Sequence, residues 1–88
     1  MYRKASLSDC EAVYDLICEM ECKQLPLDKF SAIYREQLDN RHYYCLVCEY
    51  NHNVIGVLNL RFEEQLHHSD CIAEIVEFAV DSSYRSRG

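Results

Sequence analysis

The residues best suited to chemistry lie toward the C-terminal end of this chain. Glu74 and Glu77 stand three apart in a run that also holds Ile75, Val76, Phe78, Ala79 and Val80. The run passes through Asp81-Ser82-Ser83-Tyr84 into Arg85-Ser86-Arg87-Gly88. A strand feeding a basic turn with a glycine presents backbone N–H groups to a phosphate, because the missing side chain lets the backbone come close. A partly buried glutamate on such a strand can take a proton from a reacting group. Side chains alternate along a regular strand, so Glu74 and Glu77 are expected on opposite faces unless a bulge intervenes. The segment reads as part of a nucleotide- or coenzyme-binding domain.

The elements that position these residues follow from patterning. Tyr2 to Ala5 alternates as a short strand, and Ser8-Asp9-Cys10-Glu11 has the form of a capping box. Cys10, Val13, Tyr14, Ile17, Cys18 and Met20 recur near a 3.6-residue period, which predicts an amphipathic helix over Asp9 to Lys23. Leu25-Pro26 interrupts it, and Phe30, Ile33, Tyr34 and Leu38 stripe a second helix from Asp28 to Leu38. Tyr43 to Tyr50 and Val54 to Phe62 read as a hairpin about Asn51-His52-Asn53. Glu63 to Asp70 reads as a polar connection. Cys71 to Val80 is the last strand, apolar enough on both faces to be covered on both sides. The predicted order is β-α-α-β-β-β in a single unit spanning 1–88.

Composition narrows the class. The chain has 88 residues, 49% of them hydrophobic, with seven tyrosines, three phenylalanines, one proline and two glycines, so it reads as one globular domain at most. Its formal charge of −6 argues against nucleic acid or an anionic membrane as partner and favours a cationic amine. No apolar run approaches the roughly 20 residues of a spanning helix, and Met1-Tyr2-Arg3-Lys4 leads into a helix signal and not a secretory one, so a cytoplasmic location is expected. The six cysteines read as reduced core thiols. Cys45 and Cys48, three apart on a strand, diverge to opposite faces, and metal ligation by them is not expected.

The terminal segment resembles the core motif of the GCN5-related N-acetyltransferase (GNAT) family. There a strand ending in apolar residues, here Phe78-Ala79-Val80, leads into Gln/Arg-x-x-Gly-x-Gly/Ala, of which Arg85-Ser86-Arg87-Gly88 matches the first four positions. Ala12 to Glu19, Leu66-His67-His68 and Ala73-Glu74-Ile75 further resemble the aminoalkylphosphonate N-acetyltransferases of that family. The resemblance implies an α/β acyl-CoA N-acyltransferase fold with a mainly antiparallel sheet. It covers the N-terminal half of that fold, so the chain is expected to stop inside the pyrophosphate-binding loop and to be inactive alone. Its implied activity is acetyl transfer from the cosubstrate acetyl-CoA to a primary amine, plausibly of an aminoalkylphosphonate.

The same resemblance implies site roles. The backbone of Phe78, Ala79 and Val80 would pair with the pantetheine arm, and Arg85, Ser86, Arg87 and Gly88 would wrap the pyrophosphate. A backbone N–H near Phe78 or Ala79 would stabilise the oxyanion. Glu74 is the preferred base and Glu77 the second. His67 and His68 would contact a phosphonate, move a proton or hold a divalent metal, and Arg61 is a further phosphonate contact. No general acid can be singled out. The competing expectation is a non-enzymatic fragment that self-associates, as a dimer or larger, through Cys71 to Val80.

Overall fold

In a computed structural model of the protein, residues 1–65 and 70–87 are described, with side chains for 1–63 and 73–84. The order is β1 (Tyr2–Lys4), α1 (Cys10–Glu21), α2 (Leu27–Leu38), β2 (Tyr43–Tyr50), β3 (Asn53–Gln65) and β4 (Asp70–Val80), with 3₁₀ segments at Leu7–Asp9 and Ser82–Arg87. The strands form one sheet in chain order, each pair antiparallel. The expected β-α-α-β-β-β succession is present.

The helix starts and stops show where local chemistry overrides pattern. The N-terminal cap is Ser6 with Asp9, not Ser8 with Glu11: the Asp9 carboxylate accepts the Ser6 backbone N–H at 2.8 Å and the Ser6 hydroxyl at 3.1 Å. Arg3 decides between the two serines, because it donates to Asp9 at 2.7 and 2.9 Å and so fixes the carboxylate beside Ser6. Helix α1 ends at Glu21 rather than Lys23, since Cys22 turns left-handed at φ 56°. The N–H groups of Cys22 and Lys23 then close back on the carbonyls of Glu19 and Cys18. The hairpin turns on two residues, Asn51 and His52, at φ 50° and 66°. A tight turn with both φ positive matches the right-handed twist of the flanking strands.

Both helices lie on one face of the sheet. Val13, Leu16 and Ile17 of α1 and Tyr34 of α2 are buried with Val47, Val57 and Ala79 from three strands. Burying a side chain such as Val47, which is fully enclosed, contributes about 1.5–3 kcal/mol. Tyr14 meets Phe30 edge-on at 5.2 Å, Phe30 stacks on Tyr34 at 6.2 Å, and the Tyr34 hydroxyl donates to the Ser6 carbonyl at 2.7 Å. Burial pushes the Tyr34 phenol pKa up, so it stays protonated.

Two expectations about the last strands need correction. Strand β3 runs on to Gln65, opposite Asp70, so the polar connection loses Glu63 to Gln65 to the ladder. The opposite face of the sheet is covered only in part by the described residues: Tyr84 lines a hollow of about 440 Å³ there with Leu46, Leu58 and Val80, while Ile75 and Phe78 are 62% and 61% exposed. No helix among the described residues is long and apolar enough to cross a membrane.

Candidate functional site

Strand β4 carries one residue more than the length of β3 it pairs with. Asn59 lies opposite Glu77 and Leu60 opposite Ile75, which leaves Val76 without a counterpart. The bulge resets the alternation of side chains. Glu77, opposite Asn59, and Glu74, opposite Arg61, therefore share the helix-covered face with Ala79, opposite Val57. The expectation that the two glutamates face apart is overturned, because it held only for a regular strand.

That face holds a cavity of about 380 Å³ between the helices and the sheet. Its walls are largely apolar: Val13 and Ile17 from α1, Leu25 from the connection, and Phe30, Ile33 and Leu38 from α2. Its polar groups are Glu77, Asn59, Gln37, Glu21 and Lys23. Burial pushes the Cys45 thiol up to about 11, with the nearby Glu77 charge adding to the effect. Cys45 therefore lines this cavity as a neutral, weakly polar wall and not as a thiolate.

Glu77 is held by one amide. Asn59 Nδ2 donates to Glu77 Oε2 at 2.8 Å and to Gln37 Oε1 of α2 at 2.8 Å. Asn59 is buried, and its Oδ1 has no partner among the described residues. Leaving such an acceptor unsatisfied costs about 1–3 kcal/mol. Sequence reading missed this pair. The available signal was an amide in register with Val57 on the inward face of an otherwise apolar strand.

Glu74 has different surroundings. Its carboxylate pairs with Arg61 Nη2 at 3.0 Å, with the two side chains 58% and 40% exposed, and Glu63 approaches the same nitrogen at 3.8 Å. Arg61 is thus already engaged by two carboxylates, although its buried Nε has no partner among the described residues.

Phe78, Ala79 and Val80 lie on β4, the outer strand of the four, paired on one side with β3. Beyond them the backbone does not form an open turn: Ser82–Arg87 winds as a 3₁₀ helix that includes Arg85, Ser86 and Arg87. This segment is anchored at its start, where Ser82 N–H donates to Glu19 of α1 at 2.9 Å, and Tyr84 meets Tyr50 edge-on at 5.8 Å. Gly88, His67 and His68 lie outside the described residues.

The antiparallel sheet with two helices on one face matches the N-terminal part of the acyl-CoA N-acyltransferase fold. Residues 10–88 match the family model of the Acetyltransferase (GNAT) family, and the chain belongs to that family. It is 31% identical over 78 residues to the aminoalkylphosphonate N-acetyltransferase of Salmonella typhimurium, an alignment covering 89% of this chain and 51% of that protein. Among solved structures, a possible acetyltransferase from Clostridium difficile superposes with a TM-score of 0.84 at 24% identity, over all of this chain and 61% of the other. The aminoglycoside 6'-N-acetyltransferase AAC(6')-Ih of Acinetobacter baumannii gives 0.81 at 16% identity, over all of this chain and 61% of the other. The chain spans about half the length of the curated relative it matches.

Proposed function

We propose that a complete acetyltransferase domain containing this chain moves an acetyl group from acetyl-CoA to the primary amine of a small cytoplasmic molecule, with an aminoalkylphosphonate as the first acceptor to test. The observation that carries this reading is the bulge at Val76. It turns Glu77 into the cavity immediately before Phe78, Ala79 and Val80 on the outer strand.

The roles follow from that placement. The outer edge of β4 at Phe78 to Val80 receives the pantetheine arm, and Arg85, Ser86, Arg87 and Gly88 receive the pyrophosphate. An alkyl ammonium enters the cavity with its stem against the apolar walls and gives a proton to Glu77. The freed amine nitrogen forms the new C–N bond to the acetyl carbon as the C–S bond breaks, and the proton that this nitrogen then sheds balances the one the departing thiolate takes up, so that coenzyme A leaves as the thiol. Glu74, paired with Arg61, is the second candidate for the base. An anionic phosphonate has Lys23 at the cavity wall, Arg61 beside Glu74, and His67 and His68 as candidate contacts. The amine acceptor is suggested by the name of the Salmonella relative.

The test is acetyl-CoA-dependent thiol release by the complete domain across a panel of short amines, with and without a phosphonate. Saturable acetyl-CoA binding with turnover of at least one amine is expected. Absence of both overturns the reading.

A second reading has its own observation. Ile75 and Phe78 stand exposed on an outer strand, and Val76 is 40% exposed. Such a strand is a template for pairing with a second copy of this chain. Sedimentation of the 88-residue chain at micromolar concentration would show a dimer. Because the same edge is assigned to the pantetheine arm, excess acetyl-CoA would shift that dimer toward monomer. A monomer at all concentrations removes this reading.

A further inference from the structure

We propose that Asn59 is a positioning residue for the acid–base chemistry of the cavity: its amide fixes the Glu77 carboxylate and ties it to Gln37 of α2. The inference rests on the acetyl-transfer reading and goes beyond it, since Asn59 touches neither the acceptor nor the coenzyme in that reading.

The bonding leaves one orientation for the amide. A single atom of Asn59 lies 2.8 Å from both Glu77 Oε2 and Gln37 Oε1. An ionised carboxylate only accepts, so that atom is the nitrogen, and both its hydrogens are engaged. The carbonyl oxygen is left buried with no partner among the described residues. Stability alone does not single out this residue: Asn59 sits on the face that carries Val57 and lies opposite Cys45, where an apolar side chain would remove the orphaned oxygen but strip Glu77 Oε2 and Gln37 Oε1 of their shared donor. The amide is explained by what it donates to: it holds one oxygen of Glu77. Among the described residues Glu77 Oε1 takes no hydrogen bond, and it remains for an incoming ammonium. Gln37 also sets the distance between that carboxylate and α2, which supplies Phe30, Ile33 and Leu38 to the opposite wall.

The charged and titratable groups around Glu77 are few. Glu21 comes from the end of α1 and Lys23 from the connection after it, Tyr34 from α2 and Cys45 from β2, while Arg61 and Glu74 lie along the same sheet face. Tyr34 and Cys45 stay neutral at physiological pH. Asn59→Asp places a second carboxylate at hydrogen-bond distance from Glu77, and the two then compete for one proton.

The experiment has an activity arm and a spectroscopic arm. In the complete domain, kcat and KM are measured against pH for wild type, Asn59→Asp and Asn59→Leu, with thermal unfolding of each. Asn59→Asp is expected to move the half-maximal pH of kcat upward by about one unit or more. Asn59→Leu is expected to lower kcat about tenfold with little change in KM. A residue that only supports the fold would lower the unfolding temperature and leave the pH profile in place. The Glu77 carboxyl is also titrated by carbon-13 NMR in the 88-residue chain, which needs no turnover. A shifted Glu77 titration in Asn59→Asp supports the inference even where the domain transfers no acetyl group, a result that would count against the acetyl-transfer reading alone. Superimposable Glu77 titrations in wild type and Asn59→Asp overturn the inference, as does a wild-type kcat and pH profile in both variants.

Discussion

Two polar clusters sit on the same helix-covered face of the sheet, and they are built to opposite standards. At the N-terminal corner Arg3 donates to Asp9 at 2.7 and 2.9 Å and to Glu49 at 2.8 Å, while Asp9 also accepts from Ser6. The hydrogen bond from Arg3 holds the Asp9 carboxyl at about 2, well below the usual carboxylate range. In the cavity Glu77 receives one amide hydrogen, and the amide that provides it keeps an unpartnered oxygen. The corner is closed and contributes to stability. Among the described residues the cavity cluster is deficient by one partner, and an unsatisfied buried group of this kind calls for a physical reason. Similar residue types on one face thus divide by saturation, not by identity.

The sharpest way to break this comparison is at the cavity carboxylate. In the complete domain Glu77→Gln should lower turnover by about 10²–10⁴-fold at neutral pH. Activity should recover in part as pH rises and free amine accumulates, as a pH–rate profile would show. If Glu77→Gln turns over at the wild-type rate, the deficient cluster is not the site of proton transfer.

The corner should answer in stability instead. Asp9→Asn removes the carboxylate that Arg3 and Ser6 share, and about 2 kcal/mol of unfolding free energy should be lost at neutral pH. The sign with pH is fixed by the direction of the shift. Asp9 falls from 3.8 to about 2 on folding, so its contribution is fully present above about pH 4 and disappears as pH drops through about 2. Urea titrations of wild type and Asp9→Asn should differ at pH 7 and converge near pH 2. A constant difference across that range would mean that the corner acts through packing and not through charge.

Much of this was legible beforehand, and the misses have physical causes. The six elements were readable because apolar residues at 3.6 and 2.0 periods must bury a face, and Asn51-His52 marked the hairpin turn. The bulge at Val76 was not, since nothing in Ile75-Val76-Glu77 distinguishes a regular strand from one with an extra residue. Only the pairing of β4 with β3 decides it. The cap was misplaced because Ser6-x-x-Asp9 and Ser8-x-x-Glu11 are locally equivalent, and the choice between them is made by Arg3 from β1. The two glutamates of the last strand were singled out, but neither the cavity nor its amide was. Asn59 acquires its role only when Gln37, twenty-two positions earlier in the chain, is brought beside it by α2.

The smallest expected effect is the most discriminating for that account. Glu74 occupies the same face as Glu77, three positions away, and the family resemblance favoured it as the base. Its carboxylate is 58% exposed and paired with Arg61 at 3.0 Å. An exposed pair of this kind is worth at most about 1 kcal/mol and weakens with salt. Glu74→Gln should therefore change unfolding free energy by less than about 1 kcal/mol. Turnover should fall by no more than about threefold, since water competes for a carboxylate so exposed. The residual effect should shrink further at high ionic strength, where Arg61 is screened in either variant. A hundredfold loss in Glu74→Gln with Glu77→Gln unaffected would invert the assignment. An exposed, ion-paired carboxylate would then be the working base, and the unsatisfied amide at Asn59 would need another explanation.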